Sequence, residues 1–90
     1  MKYWFHDIGE VEEGKVLEVA LDQPAIIRVM DEKNYDSYKN NQSYSCITSN
    51  VTVSPYKVKL PRTAHWFVVI DPDGRSGMIK SNIKVYQAKK

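Results

Sequence analysis

Apolar and polar residues alternate with a period of two through most of the chain, and no segment of helical length carries a 3.6-residue stripe. Tyr3 to Ile8 is aromatic-rich and reads as a first strand, closed by the turn residues Glu12-Glu13-Gly14. Lys15 to Leu21 places Leu17, Val19 and Leu21 on one face. Asp22-Gln23-Pro24 breaks the run, and Ala25 to Met30 resumes it with Ile27 and Val29 on one side and Arg28 on the other. So short a break predicts a hairpin between these two strands. Ser43 to Val53 is rich in Ser, Thr and β-branched residues and predicts an extended segment, bent near Ser49-Asn50. Tyr56 to Leu60 alternates between Pro55 and Pro61. His65 to Asp71 is the most apolar run, with Trp66, Val68 and Ile70 facing one way and Phe67 and Val69 the other. Asp71-Pro72-Asp73-Gly74 is a turn, and Gly77 to Tyr86 a last strand with Ile79, Ile83 and Val85 inward.

About seven short strands at regular spacing predict an all-β chain: one antiparallel β-sandwich, jelly-roll-like or immunoglobulin-like, over residues 1–90. The expected core is Leu17, Val19, Tyr56, Val58, Leu60, Trp66, Val68 and Ile70. Asp31 to Gln42 departs from alternation. Asp31 can cap a short helical turn, with Glu32 well placed near its N-terminus and Tyr35 and Tyr38 on one side of it. The tail from Ala88 to Lys90 is expected to fray.

Composition narrows the setting. A single cysteine, Cys46, excludes an internal disulfide, which small secreted domains commonly need, and so points to a reducing, cytoplasmic compartment. The first residues lack the apolar core of a signal peptide, no apolar run is long enough to span a bilayer, and no membrane partner is expected. The two Asn-x-Ser/Thr sites, at Asn41 and Asn50, then carry no glycan. Net charge is +2, divided unevenly: residues 1–32 carry −5 and residues 33–90 carry +7. In so small a fold the halves are expected to neutralise each other.

Three stretches together resemble a small bacterial family known only as a domain of unknown function. They are Val29-Met30-Asp31 with Asn34-Tyr35 and Tyr38; Ser54-Pro55-Tyr56-Lys57-Val58-Lys59-Leu60-Pro61; and His65-Trp66-Phe67-Val68-Val69-Ile70-Asp71 with Gly77 to Val85. Phe5-His6 and Gly14-Lys15-Val16 also fit. The resemblance implies an all-β sandwich found alone or as an accessory module on TIR-domain proteins, with no assigned catalytic residues. The chain departs from the family pattern at Arg62-Thr63-Ala64 and at Ser45 to Ser49, where the family is glycine-rich.

Little in the sequence supports chemistry. His6 and Asp7 are neighbours on a strand and point to opposite faces. No nucleophile-elbow pattern is present, so a small hydrolase is the weakest reading and the chain is expected not to be an enzyme. Asp71-x-Asp73-Gly74 lacks the later acids of a calcium loop, and one cysteine with two histidines supplies no recognisable zinc set. No metal or cofactor is expected.

Two surfaces remain. Lys57, Lys59, Arg62, Lys80 and Lys84, with Arg75, Lys89 and Lys90, would form a basic face suited to phosphate if their strands pair, making nucleic acid the alternative partner. Against it, the aromatics do not interleave with these lysines in the sequence as a stacking platform requires. The favoured candidate is the Tyr/Asn/Ser-rich segment from Asn34 to Ser45, with Asn34, Tyr35, Tyr38, Asn41 and Tyr44 as ligand-binding residues. Tyrosine offers amphipathic contact area and Asn and Ser offer hydrogen bonds, the chemistry of an adaptable recognition surface for a protein, glycan or small ligand. The plainer reading is that Tyr35 and Tyr38 cap the sandwich.

Overall fold

The computed structural model describes residues 4–72 and 79–87. Seven strands and one helix follow in the order β1 (Trp4–Val11), β2 (Val16–Leu21), β3 (Ala25–Asp31), α1 (Glu32–Lys39), β4 (Ile47–Val51), β5 (Tyr56–Lys59), β6 (Ala64–Asp71) and β7 (Ser81–Tyr86). They form two antiparallel sheets, ordered β1-β6-β3-β4 and β5-β2-β7. The chain is an all-β sandwich with the four-plus-three division of a constant-type immunoglobulin domain and a strand order of its own.

The alternating side chains explain how the sheets meet. Leu17 and Val19 of β2 face Ala25, Ile27 and Val29 of β3 and Trp66, Val68 and Ile70 of β6, and all are buried in one cluster with Val11, Val51, Leu60 and Ile79. Tyr56 and Val58 only pack against its margin. On β7, Ile83 is half-buried and Val85 exposed although it lies opposite the buried Leu17, because β7 is an edge strand.

The expected β2–β3 hairpin does not form. β2 pairs with β5 and β7, and β3 with β4 and β6. The end of β2 is claimed from elsewhere: Leu21 N–H donates to Ser54 Oγ (2.9 Å), Asp22 N–H to the Lys80 carbonyl (3.1 Å), and Lys80 N–H to Asp22 Oδ1 (2.9 Å). Pro24 has no N–H to extend a ladder towards β3. The chain therefore crosses to the other sheet, where the apolar faces of β2 and β3 oppose each other.

β1 also runs further than expected. Its register shifts between Asp7 and Gly9, where a positive φ of 73° and a bond from Gly9 N–H to Asp7 Oδ1 (2.9 Å) mark a bulge. At Glu12-Glu13-Gly14 the expected turn is present, with Gly14 at φ 91° and its N–H donating to the Leu60 carbonyl (3.0 Å). The turn expected at Asp73-Gly74 and the frayed tail lie outside the described residues.

A second, smaller core covers the opposite face of the four-stranded sheet. Met30, Phe67 and Val69 point outward from β3 and β6 and are buried beneath Tyr35 of α1, with Tyr38 and Cys46 at the edge. β6 is thus enclosed on both faces, as its unbroken apolar run requires.

Trp66 is 1% exposed and spans the main core. Replacing it by alanine is expected to cost roughly 3–5 kcal/mol in urea unfolding, most of the stability of so small a domain. A loss below about 1 kcal/mol would show that the ring lies outside the core.

Candidate functional site

The candidate site is built on Asp31, where β3 turns into α1. Its backbone is extended (φ −80°, ψ 173°) and its Oδ1 accepts from the Asn34 N–H at 3.0 Å, the N-cap bond that starts the helix. Asn34 Nδ2 donates to the same oxygen (2.8 Å), and Asn34 Oδ1 accepts from the Ser45 N–H (2.9 Å). The other carboxylate oxygen, Oδ2, accepts from Arg62 at 2.6 Å. The Arg62 guanidinium also lies 5.0 Å from the Trp66 ring centre, and Trp66 Nε1 donates to the Arg62 carbonyl (3.1 Å). Partial burial pushes the Asp31 carboxyl up, but the bonds from Arg62 and Asn34 outweigh it and hold the group below its ordinary pKa.

The far end of α1 is fixed as firmly. Asn41 adopts a left-handed φ of 58°, Gln42 N–H donates to the Ser37 carbonyl (2.8 Å) and Asn41 N–H to the Tyr38 carbonyl (3.3 Å). These are the two bonds of a Schellman cap, with asparagine in the position usually held by glycine.

Between these anchors the three tyrosines divide. Tyr35 is buried, stacked on Phe67 at 4.3 Å and 11°, with Phe5 at 5.3 Å and Lys39 Nζ 5.5 Å from its ring centre. It belongs to the core beneath the helix, against whose edge Tyr38 packs. Tyr38 is half-buried and meets Tyr44 edge-on at 5.0 Å. Tyr44 is 39% exposed. Both phenols lie near Arg28, whose guanidinium binds Asp71 Oδ2 at 2.8 Å on the outer face of the sheet. Burial opposes the charge on Arg28, yet Asp71 and the nearby phenols raise its pKa above the ordinary value. Of the five expected binding residues, Asn34 and Asn41 hold backbone, Tyr35 holds the core, and Tyr38 and Tyr44 form the accessible pair. Sequence reasoning missed Arg28 and Asp71, which the β3–β6 register brings to one face.

The expected basic face is partly reassembled. β5 and β7 do not pair with each other; β2 runs between them and sets Glu18 opposite both Lys57 and Lys84. Lys57, Lys59 and Lys84 still share the outer face. Arg62 leaves it, because the chain crosses sheets after Leu60 and its side chain is engaged with Asp31 and Trp66. Tyr86 joins it, sharing the alternation of Asn82 and Lys84. Arg75, Lys89 and Lys90 lie outside the described residues.

The two imidazoles take separate partners. His6 Nε2 is 3.3 Å from Ser81 Oγ, and His65 Nε2 is 2.5 Å from Asp7 Oδ1. The hydroxyl and the carboxylate therefore belong to different histidines, whereas a triad joins both to one ring. Among the described residues no group of three or more His, Cys, Asp or Glu side chains is placed to hold a metal, and no helix is long and apolar enough to cross a membrane.

Residues 1–89 match the model of a family described as a domain of unknown function (DUF1883). No curated protein and no solved structure matches the chain.

The lowered pKa of Asp31 gives a pH dependence. A depressed carboxyl stabilises the fold above its unfolded pKa, near 3.9, and that contribution is lost as pH falls through the lower folded value. Asp31→Asn keeps a capping side chain and removes the charge. Discounted for the exposed Arg62, it is expected to cost about 1 kcal/mol at neutral pH, with the deficit closing below about pH 4. Urea unfolding of both proteins across this range checks it; a deficit independent of pH would show that the Asp31 charge does not contribute.

Proposed function

The chain belongs to the DUF1883 family, and from that premise we propose that it is a non-catalytic recognition module whose binding surface is centred on Tyr38 and Tyr44. The observation that supports this reading is the anchoring of the exposed Tyr44. The connector that carries it is held at one end by the helix cap at Asn41 and at the other by the bond from Ser45 to Asn34. Tyr38 closes one side of its ring. A large amphipathic side chain held in place before binding loses little entropy on contact. The partner class we favour is a protein segment. Tyrosine is enriched at the energetic centres of protein interfaces, and here Tyr38 and Tyr44 form an edge-on pair while Ser43, Asn40 and Asn41 supply a polar rim. A glycan or a small ligand is the other outcome.

In the cell we place the module in a bacterial cytoplasm, as an accessory unit that works alone or joined to a signalling domain such as a TIR domain. Its lone cysteine, half-buried at the edge of the second core, suits a reducing compartment.

Selection of a displayed random-peptide library on the purified chain tests the surface. Selected peptides are expected to lose about thirty-fold or more in affinity on Tyr44→Ala, about 2 kcal/mol, and to be indifferent to Asn82→Ala on the outer face of the other sheet. Peptides that bind Tyr44→Ala as well as the unaltered chain would remove this surface from consideration.

A further inference from the structure

The outer face of the three-stranded sheet carries a second set of residues that the recognition surface does not use. Leu17 and Val19 are fully buried, so their neighbours Val16, Glu18 and Ala20 point outward from the central strand β2. The register adds Lys57 and Lys59 from β5 and Asn82, Lys84 and Tyr86 from β7 to the same face. Lys57 and Lys84 lie on either side of Glu18, and Lys59 and Tyr86 on either side of Val16. Lys80 extends the row: its carbonyl accepts from the Asp22 N–H, which continues the β2–β7 ladder by one pair, and its N–H donates to the Asp22 carboxylate.

Four lysines therefore meet two carboxylates, Glu18 at the centre of the face and Asp22 beside Lys80 at its end. Glu18 engages Lys57 at 3.8 Å and accepts from the Tyr86 hydroxyl at 3.3 Å. Among the described residues Lys59, Lys80 and Lys84 make no ion pair, and the acids Asp7, Glu10, Glu12 and Glu13 stand on β1 and its turn, away from this face. The uneven charge of the sequence is thus not neutralised here. Lysines two apart on a strand are about 7 Å apart, and those on β5 and β7 are separated by two strand spacings, about 10 Å. They form a flat positive field. The Tyr86 hydroxyl bond to Glu18 ties this exposed ring to the central strand, on the same face as the lysines.

We propose that this face binds single-stranded nucleic acid, with phosphates on Lys57, Lys59, Lys80 and Lys84 and a base stacked on Tyr86. Charge complementarity selects a polyanion. The aromatic ring among the lysines selects one with exposed bases over a duplex or a lipid surface, since Val16 and Ala20 are too small and too covered to insert into a bilayer. Glu18 sets the strength of binding from the centre of the face. The proposal stands independently of the Tyr44 surface, which lies on the other sheet.

The test is fluorescence anisotropy of the full chain with a labelled oligothymidylate about twenty nucleotides long, titrated at rising salt. The logarithm of affinity should fall against that of salt with a slope of about −2 to −3, as three or four phosphates are neutralised. Lys84→Gln, and Lys59→Gln as a second variant on the opposite edge, should each flatten the slope by about 0.7. Tyr86→Leu should weaken binding about ten-fold. Glu18→Gln should tighten it about five-fold, whereas Glu12→Gln, the same charge change on the β1–β2 turn, should leave it within about two-fold. Absence of binding at low salt overturns the proposal. So does an equal gain from Glu12→Gln, which would reduce the effect to net charge. Binding to phosphatidylserine vesicles without binding to the oligonucleotide would assign the face to a membrane surface and overturn it as well.

Discussion

β6 is apolar on both faces, and neither face can be left in water. Trp66, Val68 and Ile70 point into the space between the sheets, while Phe67 and Val69 point the other way. Burying a large apolar side chain is worth about 1.5–3 kcal/mol, so two faces of β6 and β3 together outweigh any single bond in the molecule. The first face recruits the three-stranded sheet. The second would be a patch open to aggregation without α1 above it. The three layers follow from this one strand.

Asp31 supplies the local switch that satisfies both demands. At the last position of β3 its carboxylate ends the strand and begins the helix, so that α1 folds back over the sheet from which the chain has just emerged. The same carboxylate holds Arg62 over Trp66 and so ties the β5–β6 connection to the start of the helix. Asn34 passes the constraint on to Ser45 and the connector that presents Tyr44. The exposed Tyr44 and its neighbour Tyr38 thus depend on a chain of bonds that begins in the main core. On the opposite side of the molecule no described element covers the three-stranded sheet, and its outer residues carry charge. The two faces differ because one is the rim of a covering helix and the other an open sheet.

Much of this was legible from alternation. Leu17 and Val19, and the two-sidedness of Trp66 to Ile70, read directly as inward and outward positions. Asp31 read as a cap because aspartate followed by Glu32 suits a helix start. Sheet membership was not legible. Alternation tells which face of β2 and β3 is apolar, and that is the same whether they pair side by side or face each other across the core. The deciding bonds, from Leu21 to Ser54 and from Asp22 to Lys80, join residues far apart in sequence. The site was half legible. Tyrosine and asparagine content pointed to the segment around α1, but composition cannot separate Tyr35, whose partner Phe67 lies on another strand, from Tyr44. A usable signal existed: the outward Phe67 and Val69 needed a cover, and Tyr35 was the nearest apolar residue able to provide one. Tyr86 was similarly within reach, since it shares the alternation of Lys84.

The central claim is that α1 is a structural cover on β6, with recognition confined to its rim. Urea unfolding of Tyr35→Ala beside Tyr44→Ala tests it most directly. Tyr35→Ala is expected to cost about 3 kcal/mol, as for a buried aromatic, and Tyr44→Ala less than about 0.5 kcal/mol, as for an exposed one. Equally small losses would mean that the helix does not seal the second face of β6.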